Sequence, residues 1–210
     1  CAVLVAHALA DVRGVLDAVH AAAQQGRWCV GHVRYEAAAA FDAALQTHAA
    51  DGPLAWFAVY DAPLPWPQGV GDTAAADPAQ VSWTDSLGRA EFDAAMDRIQ
   101  QAIRAGELYQ VNYTAPLQGA LQGSADALFA ALQRAQPGGY AAHIQAGAEQ
   151  VLSVSPELFF DWKDAPEGGA ILARPMKGTA PRGATPEQDA AEADHLRTAP
   201  KERAENVMIV

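Results

Sequence analysis

Three short segments combine residue types that could do chemistry on an anionic substrate. The first is Ser155-Pro156-Glu157, followed at once by Leu158-Phe159-Phe160. Pro156 cannot extend a central strand, so the tripeptide reads as a turn at a strand edge. A carboxyl beside apolar side chains has its charged form disfavoured, which suits a general acid; a solvated turn glutamate accounts for the same residues. The second segment runs from Arg174 to Gly183 and places two prolines and two glycines around Lys177. Gly178 allows close backbone approach, and Thr179 offers a hydroxyl and an N–H to an anion. Lys177 is a fixed cation, or a nucleophile if desolvation lowers its pKa. A basic surface loop is the plain alternative. The third segment is Lys201-Glu202-Arg203-Ala204-Glu205-Asn206. Glu202 and Glu205 stand at i, i+3 and share a helix face. Two such carboxylates repel unless a cation lies near, and hard oxygen ligands suit Mg²⁺. A solvated face with a Lys201–Glu205 surface pair also fits.

Other chemistries find no support. His7, His20, His32, His48, His143 and His195 are scattered without an HxxxH or HExxH spacing. No glycine-rich phosphate cradle occurs, and Ser153 and Ser155 lack a nucleophile-elbow pattern.

The elements that must position these segments follow from periodicity. Leu9, Val12, Leu16 and Val19 predict a helix over 7–25, stopped by Gly26. Strand formers fill 28–35 and 54–60. Residues 62–80 carry four prolines and read as a long connection. Phe92, Met96, Ile99 and Ile103 predict a helix over 90–105 capped by Gly106. Residues 107–114 alternate strictly, with Tyr109, Val111 and Tyr113 on one side, and predict a strand. A helix over 124–136 follows, then strands at 140–146, 150–153, 158–162 and 170–174. Thr185-Pro186-Glu187-Gln188 has a capping-box pattern with proline in the first turn, and Pro200 opens a last helix. Strands in runs followed by helices predict an α+β class.

The chain has 210 residues, half of them apolar, enough for one large domain or two small ones. Its formal net charge of −11 repels nucleic acid and anionic membranes, so neither is expected as a partner. Two scattered cysteines form no disulfide framework or metal motif, which points to a cytoplasmic setting. No apolar run approaches a membrane span. The chain starts at Cys1 and stops within the apolar run Val207 to Val210, so a fragment of a longer protein is expected.

Taken in order, the segments from Gly106 to Thr114, Ser155 to Phe159, Arg174 to Gly183 and Lys201 to Val210 resemble the chorismate-binding enzymes. That family includes anthranilate, aminodeoxychorismate, isochorismate and salicylate synthases. Upstream, 31–38 and 54–57 are similar to the N-terminal part of its 4-aminating members. The resemblance implies a large β-sandwich core of the anthranilate synthase type flanked by helices, here truncated. Residues 1–80 would be the N-terminal region and 81–210 the first half of the catalytic domain. It implies that Glu157 is the general acid for departure of the C4 hydroxyl, and that Gly178 and Thr179 hold a substrate carboxylate. It further implies that Glu202 and Glu205 are half of a Mg²⁺ site, the other half following Val210, so the chain alone is expected to be inactive.

Two positions discriminate within the family. Water-adding members resemble this chain but carry a lysine base where Gln110 stands, so a neutral amide implies use of ammonia. Anthranilate synthases carry alanine at the position of Lys177, whereas C4-aminating members carry a lysine proposed to attack C2 of chorismate. Met176 replaces a common isoleucine, a swap that roughly conserves volume. The family's element for a regulatory tryptophan is not visible, so that site is not expected. The implied reaction is amination of chorismate to 4-amino-4-deoxychorismate, with ammonia from a glutamine amidotransferase subunit or domain. Anthranilate synthesis is the enzymatic rival, and a non-catalytic module binding chorismate-like carboxylates or a protein partner is the rival from another class.

Overall fold

The structure, a computed structural model, describes residues 2–65, 79–164 and 167–209, with Ile209 described by its backbone alone. The chain divides into two compact units. One contains residues up to 68 together with those from 136 onward; the other contains 69–135.

The first unit begins with an antiparallel sheet in the order β1-β3-β2, from β1 (Ala2–Ala6), β2 (Trp28–Val33) and β3 (Ala55–Tyr60). Helix α1 (Leu9–Gln24) crosses from β1 to β2 and covers one face of this sheet. Its end is set by Gly26, whose φ of +78° is a conformation that glycine adopts without a Cβ penalty. The core between helix and sheet is built largely from small residues: Ala6, Val12, Ala37 and Ala55 are fully buried and Leu54 nearly so, with Val15, Leu16 and Phe57 packed around them. Alanine at these positions lets the helix approach the sheet closely. Gly31 serves the same end within the sheet, because a Cβ there would overlap the carbonyl oxygen of Trp56 and the ring of Phe57. Arg13 ties α1 to the short 3₁₀ stretch Tyr35–Ala40 by donating to the carbonyls of Ala40 and Phe41, both at 3.0 Å.

Later in the same unit come two antiparallel hairpins. One pairs β6 (Tyr140–Ala146) with β7 (Glu149–Ser155); the other pairs β8 (Leu158–Lys163) with β9 (Ala170–Arg174), with an irregularity between Leu158 and Asp161. Helices α4 (Pro186–Thr198) and α5 (Pro200–Ile209) follow. Arg34, just after β2, reaches Asp51 at 3.2 Å and also pairs with Glu149 at the start of β7.

The second unit holds α2 (Arg89–Ala105), α3 (Ala125–Ala135) and a hairpin of β4 (Gln80–Asp85) with β5 (Leu117–Gln122). Gly106 closes α2 at φ +77°, donating its N–H toward Ile103, as the sequence pattern requires. Ser124 caps α3 by accepting from the N–H of Ala127 at 3.1 Å.

One expectation changes. Residues 107–116 form no strand, and Tyr109, Val111 and Tyr113 are exposed. Period-2 alternation shows only that a segment could serve as a strand; it still needs a partner, and among the described residues of this unit only β4 and β5 pair. Neither β4 nor β5 stood out in the sequence. β5, Leu-Gln-Gly-Ala-Leu-Gln, is weak in strand formers and exposed throughout, so its pairing comes from backbone hydrogen bonds rather than side-chain pattern. The proline-rich connection lies mostly in 66–78, outside the described residues.

Candidate active site

The hairpin β8–β9 fixes where two of the sequence-derived site segments begin. Leu158 pairs with Arg174, so Glu157, one residue before β8, and the Pro175–Lys177 segment, just after β9, leave the same end of the hairpin. Arg174 is held there by donating to the Tyr140 hydroxyl at 3.2 Å.

Glu157 sits in a tight serine turn. The Ser155 hydroxyl accepts from the Glu157 N–H at 3.2 Å and donates to the Glu157 carbonyl at 3.0 Å. The turn agrees with the reading of Pro156. The apolar shelter expected around the carboxyl is not formed by its neighbours: Glu157 is exposed, and Phe159 is 86% and Phe160 50% exposed. The two rings pack on each other instead, with centroids 5.1 Å apart. Both lie in the stretch where the β8–β9 register is irregular, between Leu158 and Asp161.

Lys177 and Gly178 lie against α5. The Asn206 side-chain amide donates to the Lys177 carbonyl at 3.4 Å and to the Glu202 carbonyl at 2.9 Å. Gly178 has φ +87°, and a Cβ there would overlap Glu202 Oε2, lie 3.0 Å from its Cδ and come 3.2 Å from Leu196 Cδ2. Glycine is therefore required on two counts, backbone conformation and contact with the Glu202 carboxylate. Glu202, Glu205 and Asn206 are the half-buried positions of α5, whereas Lys201, Arg203, Ala204, Val207 and Met208 are exposed. The inward face of this helix is thus the polar one. Glu205 also meets Lys201 at 3.8 Å, the i, i+4 pair allowed by the plain reading. Thr179 is exposed.

The far end of the loop is pinned to α4. Arg182 grips Asp189 with two charge-assisted hydrogen bonds, at 2.6 Å and 2.5 Å, and the Gly183 N–H donates to the same carboxylate at 2.9 Å. These bonds, that from Arg182 foremost, hold the Asp189 carboxyl below the usual carboxylate range. Thr185 caps α4 by accepting from the Gln188 N–H at 3.3 Å. Glu187, in the first turn, is likewise lowered by its own backbone N–H and then by the Thr185 hydroxyl.

The structure thus brings Lys177, Gly178 and Glu202 together, with Glu205 on the same helix face. Gln110 belongs to the other unit, in the irregular, exposed stretch after α2. Sequence reasoning missed Asn206 and Asp189. Asn206 stands four residues after Glu202, a spacing that places it on the same face; Asp189 had no signal, because its partner Arg182 lies in a loop. Among the described residues no three His, Cys, Asp or Glu side chains cluster as a metal site. Two carboxylates on one half-buried face still match what Mg²⁺ commonly takes from protein, with substrate oxygens and waters completing the octahedron.

The chain that carries this geometry belongs to the family of chorismate binding enzymes, whose model matches residues 5–210. It is 36% identical over 157 residues to aminodeoxychorismate synthase component 1 of Klebsiella aerogenes, covering 75% of this chain and 32% of that protein. It is 43% identical over 115 residues to aminodeoxychorismate synthase of Streptomyces griseus, covering 55% of this chain and 16% of that one. It is 34% identical over 141 residues to anthranilate synthase component 1 of Streptomyces coelicolor, covering 65% and 27%. The chain therefore spans a third or less of the length of these relatives. No solved structure matches it. Among the described residues, no helix is long and apolar enough to cross a membrane.

Proposed function

We propose that this chain forms the N-terminal region and the first half of the catalytic domain of a cytoplasmic enzyme that aminates chorismate at C4, giving 4-amino-4-deoxychorismate. The observation that supports the reading is that the backbone of Lys177 and Gly178 lies against the polar face of α5 that carries Glu202, Lys177 being the residue absent from the anthranilate-forming pattern. The names of relatives such as those from Klebsiella aerogenes and Streptomyces griseus support it. The strands would belong to a larger β-sandwich of the anthranilate synthase type.

In this reading the neutral Lys177 amine forms a bond to C2 of chorismate. The ring double bonds shift and the C4–O bond breaks, with Glu157 giving its proton to the departing hydroxyl, which leaves as water. Ammonia then bonds to C4, the double bonds shift back and the C2–N bond breaks, returning Lys177. Gly178 and Thr179 hold one substrate carboxylate through backbone N–H groups and hydroxyl. Glu202 and Glu205 would hold Mg²⁺, which supplies positive charge to a second substrate carboxylate that the acidic chain would otherwise repel. The resemblance assigns Gln110, a neutral amide, to substrate binding without activation of water. Ammonia comes from a glutamine amidotransferase subunit or domain, or free in solution.

The test is product analysis of the intact enzyme given chorismate, Mg²⁺ and ammonia. Formation of 4-amino-4-deoxychorismate is expected, falling at least about a hundredfold in Lys177→Ala. Anthranilate as product would establish the rival suggested by the Streptomyces coelicolor relative. Undiminished amination by Lys177→Ala would remove the covalent step.

A further inference from the structure

We propose that Asn206 is a positioning residue that holds the backbone of Lys177 on the face of α5 that carries Glu202. The proposal rests on the nucleophilic role given to Lys177 above and adds a residue to which no part in it was assigned.

An asparagine amide carries two N–H bonds. In Asn206 one is spent within the helix, on the Glu202 carbonyl four residues back at 2.9 Å. That bond fixes the rotation of the amide. The other hydrogen then points out of the helix toward the Lys177 carbonyl at 3.4 Å. A second contact, independent of this one, lies one residue further on. Gly178 rests so closely on Glu202 that any Cβ would displace the carboxylate. The backbone of Lys177–Gly178 is therefore located at two consecutive points, and both lie on one turn of α5. Asn206 and Glu202 are both half-buried there, so water competes for these groups less than at the exposed positions of the helix.

The consequence is geometric. Lys177 has a long flexible side chain, and attack requires its nitrogen within about 3–3.5 Å of the reacting carbon. A backbone free to shift by an ångström spreads that nitrogen over many unproductive positions. Losing the Asn206 amide should leave chorismate binding intact, because the groups assigned to its carboxylates remain, while lowering the fraction of bound enzyme poised to react.

The test uses the intact enzyme with Asn206→Ala, which keeps a strong helix former at the site, and Asn206→Asp, which keeps the shape but lacks the donor. Both are expected to lose between about tenfold and a hundredfold in kcat, with KM for chorismate within about twofold of wild type. Thermal midpoints should stay within a few degrees. In the absence of substrate, the rate at which a small amine-directed reagent labels Lys177, read by peptide mass spectrometry, should change in both variants. Unchanged kcat and labelling in Asn206→Ala would overturn the proposal, as would a loss of thermal stability with kcat intact. Lys177→Ala run beside them separates the two ideas: if it aminates normally, the covalent reading fails; if it is inactive while Asn206→Ala is normal, only the positioning role fails.

Discussion

The N-terminal sheet and the motif-bearing segments after β9 lie in the same unit but are held by different means. The sheet is held by burial. Ala6, Val12, Ala37 and Ala55 are inaccessible to solvent, and Arg13 and Arg34 add polar ties beside them. After β9, no residue of α4 is buried, and Met176 and Val207 are 56% and 75% exposed. What shapes that region is a sequence of directed bonds: Thr185 to Gln188, Arg182 to Asp189, Asn206 to Lys177. Burial stabilises without choosing a geometry, whereas hydrogen bonds choose a geometry with little net stabilisation. A scaffold needs the first and a site needs the second.

Substitutions should therefore divide along this line. The largest effect is expected for Gly31→Ala. The added Cβ meets backbone, the Trp56 carbonyl oxygen, which cannot rotate away as a side chain tip could. Pairing of β2 with β3 must open, at a cost of about 3 kcal/mol or more, visible as a lower denaturant midpoint. Next comes Val12→Ala, which truncates a side chain that is the largest fully buried one among the described residues and should cost about 2 kcal/mol. Val207→Ala, the same chemical change at an exposed helical site, should alter stability by less than about 0.5 kcal/mol. Equal losses at positions 12 and 207 would mean that the motif region has a core of its own.

The same division explains what the sequence made legible. Helix α2 and its Gly106 stop were readable because both signals are local: a four-three-four apolar spacing and a residue at positive φ. The Thr185 cap, the turn at Ser155 and the four strands after Gly139, though not their pairing, were readable for the same reason. Residues 107–114 misled because alternation describes one strand and pairing takes two. β5 went unseen because its exposed side chains carry no pattern. In the site, the residue types of Glu157, Lys177, Gly178 and the Glu202/Glu205 pair were visible, and so was the shared face of α5. The bond from Asn206 to Lys177 spans 29 residues, and no spacing rule reaches across a loop of that length. Nor could sequence show that Phe159 and Phe160 would meet edge to face and leave Glu157 in solvent.

The smallest effect expected is one of pH, and it tests the directed bonds alone. Asp189 is lowered in the folded chain, first by the Arg182 hydrogen bonds and then by the Gly183 N–H. A carboxyl whose folded pKa lies below its unfolded value contributes its full stabilisation above the unfolded value and loses it as pH falls through the folded one. The grip of the 175–183 loop on α4 should thus be constant at neutral pH and weaken only in acid, below the ordinary carboxylate range. Arg182 is raised by the same contact, so its contribution is lost only above the ordinary arginine range and leaves the working pH untouched. Because both side chains are open to solvent, salt should screen much of the effect. Following the Asp189 carboxyl carbon by NMR across an acid titration should show a midpoint below that of an unpaired aspartate, moving back toward it in Arg182→Ala. An Asp189 midpoint identical in the two proteins would show that the loop is held by something other than this pair.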